Sequence, residues 1–306
     1  MRRDSAISTG ALGGAAGRRG ERALGAFLEA LHHRYHRLEH LDPDPLAFLH
    51  RYERPADIEI AGLVAALLAF GRVEQIHASV ERVLEVLGPR PSEGVRRIGP
   101  ADARRALRGF VHRWCRGDDL AALLASVRGA LEARGSLEAL FLEGYAPGRP
   151  DAVRAALSCF ARSLRAGAPR GASRRRGFRF LLPAPEEGSA CKRLNLYLRW
   201  MARRDDPLDR GVWRSVSPAD LIVPLDTHVA RIARATGLST RRTADWKMAE
   251  EVTASLRRHD PADPTRFDFA LCRAGMLEAR AAAGRPRRGR GAPATAAQAR
   301  AASSSP

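Results

Sequence analysis

With 306 residues, 45% of them hydrophobic, the chain is long enough for one large domain or two small ones and apolar enough to bury a core. A formal charge of +18 at pH 7 and a sequence pI near 11.2 favour a polyanionic partner, nucleic acid before a membrane surface, because releasing condensed counterions rewards basic surface that meets phosphate. Four cysteines without C-x-x-C spacing argue against a disulfide framework or a cysteine metal cluster, and the longest uncharged apolar run, Ile60 to Phe70, is too short to span a bilayer.

Residues 1–20 are low-complexity Ala/Gly/Arg/Ser sequence and are expected to be disordered. They carry charges but no continuous apolar stretch of the kind a secretory signal needs, so a cytoplasmic, nucleoid-associated protein is expected. From Glu21 to Leu41 the apolar residues Leu24, Leu28, Leu31, Tyr35 and Leu38 recur with the period of an amphipathic helix. His32 and His36 lie one turn apart on it, a spacing that permits chelation, but no H-E-x-x-H motif accompanies them and no metal or cofactor is expected. A buried helix follows from Asp57 to Phe70, breaks at Gly71 and resumes to Leu87, where Gly88, Pro89 and Pro91 stop it. Further helices are expected over Pro100 to Cys115, Asp118 to Arg134, Ser136 to Glu143 and Pro150 to Ala166.

Residues 167–188 read as a basic connecting loop between two halves, with the one strand-like stretch at Phe178 to Leu182. Its Arg174, Arg175 and Arg176, followed by Phe178 and Phe180, mix charge and aromatic surface in the way that suits phosphate and base contact. Helices then cover Ser189 to Arg204, Asp226 to Thr236, Thr243 to Arg258 and Pro264 to Leu277, with a short capped turn at Ser217 to Ile222. Residues 279–306 are a basic tail too poor in apolar residues to fold. The chain is therefore expected to be all-α.

Two residues stand out chemically. Of 52 basic residues only Lys192 and Lys247 are lysine. Arginine serves wherever positive charge or a phosphate contact suffices, so a lysine that persists is a candidate for acting as a neutral amine nucleophile. In GSACKRLNLYLRWM, Ala190, Leu194, Tyr197 and Met201 share one helical stripe, whereas Lys192 shares its face with Leu196, Arg199 and Arg203 and begins a partly basic ridge. The positive end of the helix and the neighbouring Arg193 favour the neutral amine. Downstream, in VPLDTHVARIARATG, Asp226 is the natural N-cap of a helix. A carboxylate held by backbone N–H groups stays ionised, which also suits it to stabilising positive charge that develops beside it.

Together these blocks resemble the helix-hairpin-helix superfamily of DNA base-excision glycosylases, in which a lysine begins the second helix of a hairpin and an aspartate heads a later helix in a D-T-H-[VI] context. Lys192 and Asp226, the latter in Leu225-Asp226-Thr227-His228-Val229, match those positions. Upstream, LVAALLAFGRVEQIHASVERVLEVLG resembles the family's early buried helix and the turn after it. The separation from Lys192 to Asp226 is more like that of the archaeal branch that excises 8-oxoguanine, and the two blocks also resemble an uncharacterised bacterial and archaeal family related to that branch. The resemblance covers roughly residues 50–277. The approach to the lysine reads LPAPEEGSACK in place of the family's L-P-G-V-G-x-K, with Gly188 near a hairpin glycine position, and Gly71 and Arg72 stand where many members carry a glutamine.

What the resemblance implies is an all-α, two-lobed glycosylase-like fold over residues 21–278 with a helix-hairpin-helix element, acting as a monomer on double-stranded DNA without a cofactor. The target nucleotide is rotated into a pocket, Lys192 attacks the sugar C1′, and Asp226 stabilises the cationic sugar. Arg174, Arg175, Arg176, Gly188, Arg193 and Arg199 are the expected DNA contacts, and Phe178 and Trp200 the expected stacking surface of the base pocket. A helical nucleic-acid-binding protein without chemistry is the rival expectation. A scaffold for protein partners explains the core but neither the charge nor the lysine.

Overall fold

The computed structural model describes residues 18–283. The expected disorder of the two tails falls on residues outside these, except that helix reaches back to Arg18 and forward to Ala283. The first helix, α1 (Arg18–Tyr35), buries Leu24, Leu28, Leu31 and Tyr35 as its stripe requires. It ends at Tyr35, earlier than its apolar pattern predicts, so Leu38 falls in a 3₁₀ turn and is 57% exposed. A second 3₁₀ segment at Pro45–Arg51, capped by Asp44, leads into α2 (Pro55–Leu68), which is buried from Asp57 to Leu68 and apolar all round because it runs through the middle of the protein. Gly71, at a φ of 103°, turns the chain into α3 (Val73–Leu87).

After α4 (Pro91–Arg97) and α5 (Pro100–Ala106) the structure departs from the helix expected up to Cys115. The left-handed Gly109 ends the helical run, and the chain forms a small antiparallel hairpin, β1 (Val111–His112) paired with β2 (Cys115–Arg116). Then come α6 (Gly117–Arg134), α7 (Leu137–Leu142) with its Ser136 cap, and α8 (Ala152–Ala166). The expected basic loop is largely structured, holding a 3₁₀ turn at Ala172–Arg174, the short helix α9 (Arg176–Leu181) where strand alternation was expected, and a 3₁₀ turn at Pro185–Glu187. Last come α10 (Lys192–Ala202), α11 (Thr227–Thr236), α12 (Trp246–Arg257) and α13 (Asp268–Ala283). The protein is all-α, the described residues holding no sheet beyond that hairpin.

The buried side chains form one continuous core from Leu24 to Ala274. At its centre α10 packs along α2, where Gly62 leaves room for the Met201 side chain: an added Cβ would lie 2.8 Å from its Cε. The first and last described helices, α1 and α13, lie against each other, and α13 also packs on α11. That second contact depends on Gly275, where a Cβ would meet His228 Cβ at 2.8 Å. The Arg199–Asp268 ion pair joins α10 to α13, on which α11 packs, and the N-termini of α10 and α11 meet in one region. Among the described residues no helix is long and apolar enough to cross a membrane.

Candidate active site

Lys192 is the first residue of α10 because the residue before it cannot be helical. Cys191 holds a left-handed φ of 47°, a conformation that costs a non-glycine residue about 1–2 kcal/mol. It is held there by burial, by its N–H donating to Ser189 Oγ at 3.1 Å, and by its thiol directed at the Pro183 carbonyl. No side chain caps α10, so its first amides add unneutralised positive potential beside Lys192.

Asp226 heads α11 as its N-cap. One carboxylate oxygen, Oδ1, accepts from the N–H groups of His228 and Val229, both at 2.8 Å. That leaves Oδ2 to face Lys192 Nζ at 3.9 Å and to accept from the Cys272 thiol at 3.3 Å. At 3.9 Å the lysine and aspartate attract each other without a hydrogen bond, so the amine is not locked to the carboxylate. The lysine side chain is 33% exposed and the aspartate 13%: an incoming molecule reaches the amine while the carboxylate stays sheltered.

Both line a cleft of about 750 Å³, within the range that takes small organic ligands. Phe70, Phe180 and Phe269 supply apolar wall, and Asp44, Asp268 and Cys272 supply further polar groups. Burial pushes the Asp268 carboxyl up to about 7 against the pull of Arg199, and Asp226 raises it further while Lys192 opposes. Burial likewise raises Asp44, opposed by its bond from the Leu46 N–H and by the charges of Arg199 and Lys192. The Cys272 thiol is pushed well up, first by burial and then by the Asp226 charge, so it serves as a hydrogen-bond donor rather than a thiolate. One amine with a carboxylate in reach, in a pocket walled by aromatic rings, is equipped for attack on an electrophilic carbon and for holding the cation that results.

The structure brings Lys192 and Asp226 together, and it relocates several other expected site residues. Phe178 and Trp200 are fully buried in the core, so neither offers a stacking surface; the phenylalanine rings that reach the cleft are Phe70, Phe180 and Phe269. Arg193, expected at phosphate, is 6% exposed. Its guanidinium donates to the carbonyls of Leu67, at the end of α2, and Phe180, and lies 4.1 Å from the Phe180 ring centroid and 5.0 Å from that of Phe70. Burial lowers it to about 10. It braces the aromatic wall.

Arg199, also expected at phosphate, is 1% exposed, donating to Asp268 and Asp209, and Arg203 beside it meets Asp206, Asp209 and Asp263. The expected basic ridge of α10 is thus a sealed ion-pair network that ties it to α13 and to the turn after α10. Arg175 is held by Asp119 at 2.9 Å, whereas Arg174, Arg176 and Gly188 are exposed, Gly188 at the cleft with a left-handed φ of 80°. Among the described residues no group of three or more His, Cys, Asp or Glu is arranged to hold a metal ion. His36, considered above as a chelator with His32, is bonded to Asp206 at 2.7 Å and stacked on His32.

Sequence reasoning missed Asp44, Phe70, Asp268 and Cys272. The acid flanked by aromatics in Phe267-Asp268-Phe269 was a usable signal for the third, since a carboxylate in an apolar context needs a buried partner. No match to the chain is found among curated proteins or solved structures. The model of a family described as "Protein of unknown function (DUF2400)" matches residues 44–277, a span that includes Asp44, Lys192, Asp226 and Asp268, and the chain belongs to that family.

Proposed function

We propose that the protein is a DNA N-glycosylase with AP-lyase activity, excising a damaged base, 8-oxoguanine first among the substrates to try, through a Schiff base on Lys192. One observation carries this reading: the amine of Lys192 stands 3.9 Å from the capped carboxylate of Asp226 in a cleft walled by aromatic rings. The charge of +18 fits a polyanionic substrate, and the resemblance of the Lys192 and Asp226 blocks to base-excision glycosylases supports the reaction class.

In this mechanism the damaged nucleotide leaves the duplex and its base enters the cleft. Asp226 takes the ammonium proton of Lys192. The freed lone pair forms an N–C1′ bond as the glycosidic C1′–N bond breaks, and the base departs with that electron pair and takes up the proton from Asp226. The carboxylate, charged again, stabilises the cation that results, held in place by the α11 amides. The new amine loses a proton, and its lone pair then breaks the C1′–O4′ bond to give the Schiff base, O4′ taking up a proton. Removal of a C2′ proton then breaks the C3′–O bond and cleaves the strand.

The test is release of free base, followed by chromatography, from duplexes carrying 8-oxoguanine opposite each of the four bases, alongside an undamaged duplex and a panel of other oxidised and alkylated bases. Base release that Lys192→Gln abolishes is the expected result. Salt-sensitive binding with no base released from any duplex leaves a non-catalytic DNA-binding protein, and no binding leaves neither.

A further inference from the structure

Beyond the cleft, the small hairpin of β1 and β2 carries a feature that packing does not account for. Its register pairs Val111 with Arg116 and His112 with Cys115, which leaves Arg113 and Trp114 as the tip. Trp114 is 37% exposed and Val111 is 52% exposed, whereas the other three tryptophans, Trp200, Trp213 and Trp246, are at most 3% exposed. An indole kept at the surface in a chain that buries every other one calls for a partner.

The surroundings of the indole indicate what that partner is. One side of Trp114 rests on the cleft wall, stacked on Phe70 with ring centroids 5.8 Å apart and edge-on to Phe180 at 4.8 Å. Two guanidiniums lie over the ring, Arg113 at 4.9 Å and Arg176 at 6.0 Å from its centroid. Among the described residues neither meets a carboxylate, unlike Arg175, which Asp119 holds. The tip is fixed rather than slack. His112, buried, has Nε2 at 2.9 Å from the Phe70 carbonyl and Nδ1 at 2.8 Å from Ser79 Oγ, and Arg113 keeps a left-handed φ of 55° with its side chain against Gly71. A rigid indole flanked by unpaired guanidiniums has the surface that a nucleobase with phosphates on either side complements, since stacking and cation–π attraction need only a π-face and phosphate answers the charge.

We infer that the tip of the 111–116 hairpin is a nucleobase-stacking contact outside the cleft, in which Trp114 stacks on a duplex base bordering the nucleotide drawn inside, and Arg113 and Arg176 meet its flanking phosphates. The inference rests on the proposed DNA reading but not on the Lys192 chemistry. Trp114 is the one exposed tryptophan among the four, so the part of the change in emission that Trp114→Ala removes reports on this contact.

The experiment titrates the full-length chain with a labelled duplex containing a tetrahydrofuran abasic analogue, which Lys192 cannot trap, with binding followed by anisotropy and indole emission recorded in parallel. Binding is expected to quench the emission. Trp114→Ala is expected to remove the quench and weaken binding by about 5- to 100-fold, and Trp114→Tyr to restore most of the affinity. Arg176→Ala should shallow the dependence of log affinity on log salt by about 0.9, the value for one phosphate contact. Bound duplex with unchanged emission, or a Trp114→Ala chain that binds like the wild type, overturns the inference, as does a chain that binds no DNA. The wild-type quench needs no variant to fold. Borohydride trapping on a natural abasic site separates the two readings. Quenching without a trapped adduct leaves the hairpin contact standing and the glycosylase reading fallen, and an adduct without quenching does the reverse.

Discussion

The two ends of α10 present basic residues on one helix face and use them in opposite ways. At the C-terminal end Arg199 and Arg203 are sealed from solvent, each shared between two or more aspartates. At the N-terminal end Lys192 is one-third exposed to a cleft and faces a single carboxylate across 3.9 Å. Taking two charges out of water is costly, so the arginine end holds only because each guanidinium there meets two or more carboxylates, and such an arrangement is rigid. The lysine end pays less for solvation and keeps its amine unlocked, which a nucleophile needs. Positive charge on a helix face therefore says little until its counter-charges are known.

Substitutions that invert this contrast test it, and Arg199→Ala is expected to be the most costly. It strands Asp209 and Asp268 without their partner in the interior, so unfolding in urea should show a loss of about 3–5 kcal/mol. At the other end Asp226→Asn separates chemistry from capping. Asparagine caps a helix about as well, so stability should change by less than about 0.5 kcal/mol, while base release slows by roughly 10²- to 10³-fold as the charge beside the sugar is lost. A slowing that appeared only in step with destabilisation would make Asp226 a cap and nothing more.

Arg193→Ala probes the residue between the two ends. It leaves the carbonyls of Leu67 and Phe180 unpaired and removes the brace under the aromatic wall, for an expected loss of about 1–3 kcal/mol. The salt dependence of DNA binding should be unaltered, because this guanidinium is not at the surface. Arg193→Ala with a shallower salt slope would return it to the phosphate role.

The smallest effect is that of pH. Burial, reinforced by His36, Arg266 and Arg203, lowers His32 to about 4, below its unfolded value near 6.5. Between those values the unfolded chain binds the proton first, so the stability His32 contributes is present above about pH 6.5 and is lost as pH falls toward 4. Melting temperature should drop over that window, and less steeply in His32→Gln.

The sequence made most of the helices legible because their apolar periods and caps are local signals: Ser136, Ser217, Asp226 and Gly88 mark the ends they were expected to mark. Where it misled, the deciding contact was distant. Nothing near Arg199 in the chain announces Asp268, and nothing near Phe178 says that Phe180, two residues on, is the ring that reaches the cleft. The hairpin at 111–116 was read as helix because its strands are too short to show alternation; Gly109 was the available signal. Lys192 was visible through its rarity, its place at the start of a helix and the resemblance of its block, while the close packing of α11 on α13 at Gly275 is a distant contact that the sequence does not announce.

Attack of the Lys192 amine on the sugar is directly measurable because lysine is so scarce in this chain. Besides the N-terminus, Lys192 and Lys247 are the only primary amines in the sequence. The full chain, incubated with a duplex containing a natural abasic site and reduced with borohydride, is digested and its peptides are mapped by mass spectrometry. A reduced sugar adduct is expected on Lys192, absent from Lys192→Gln. An adduct on Lys247 or the N-terminus with Lys192 unmodified would contradict it.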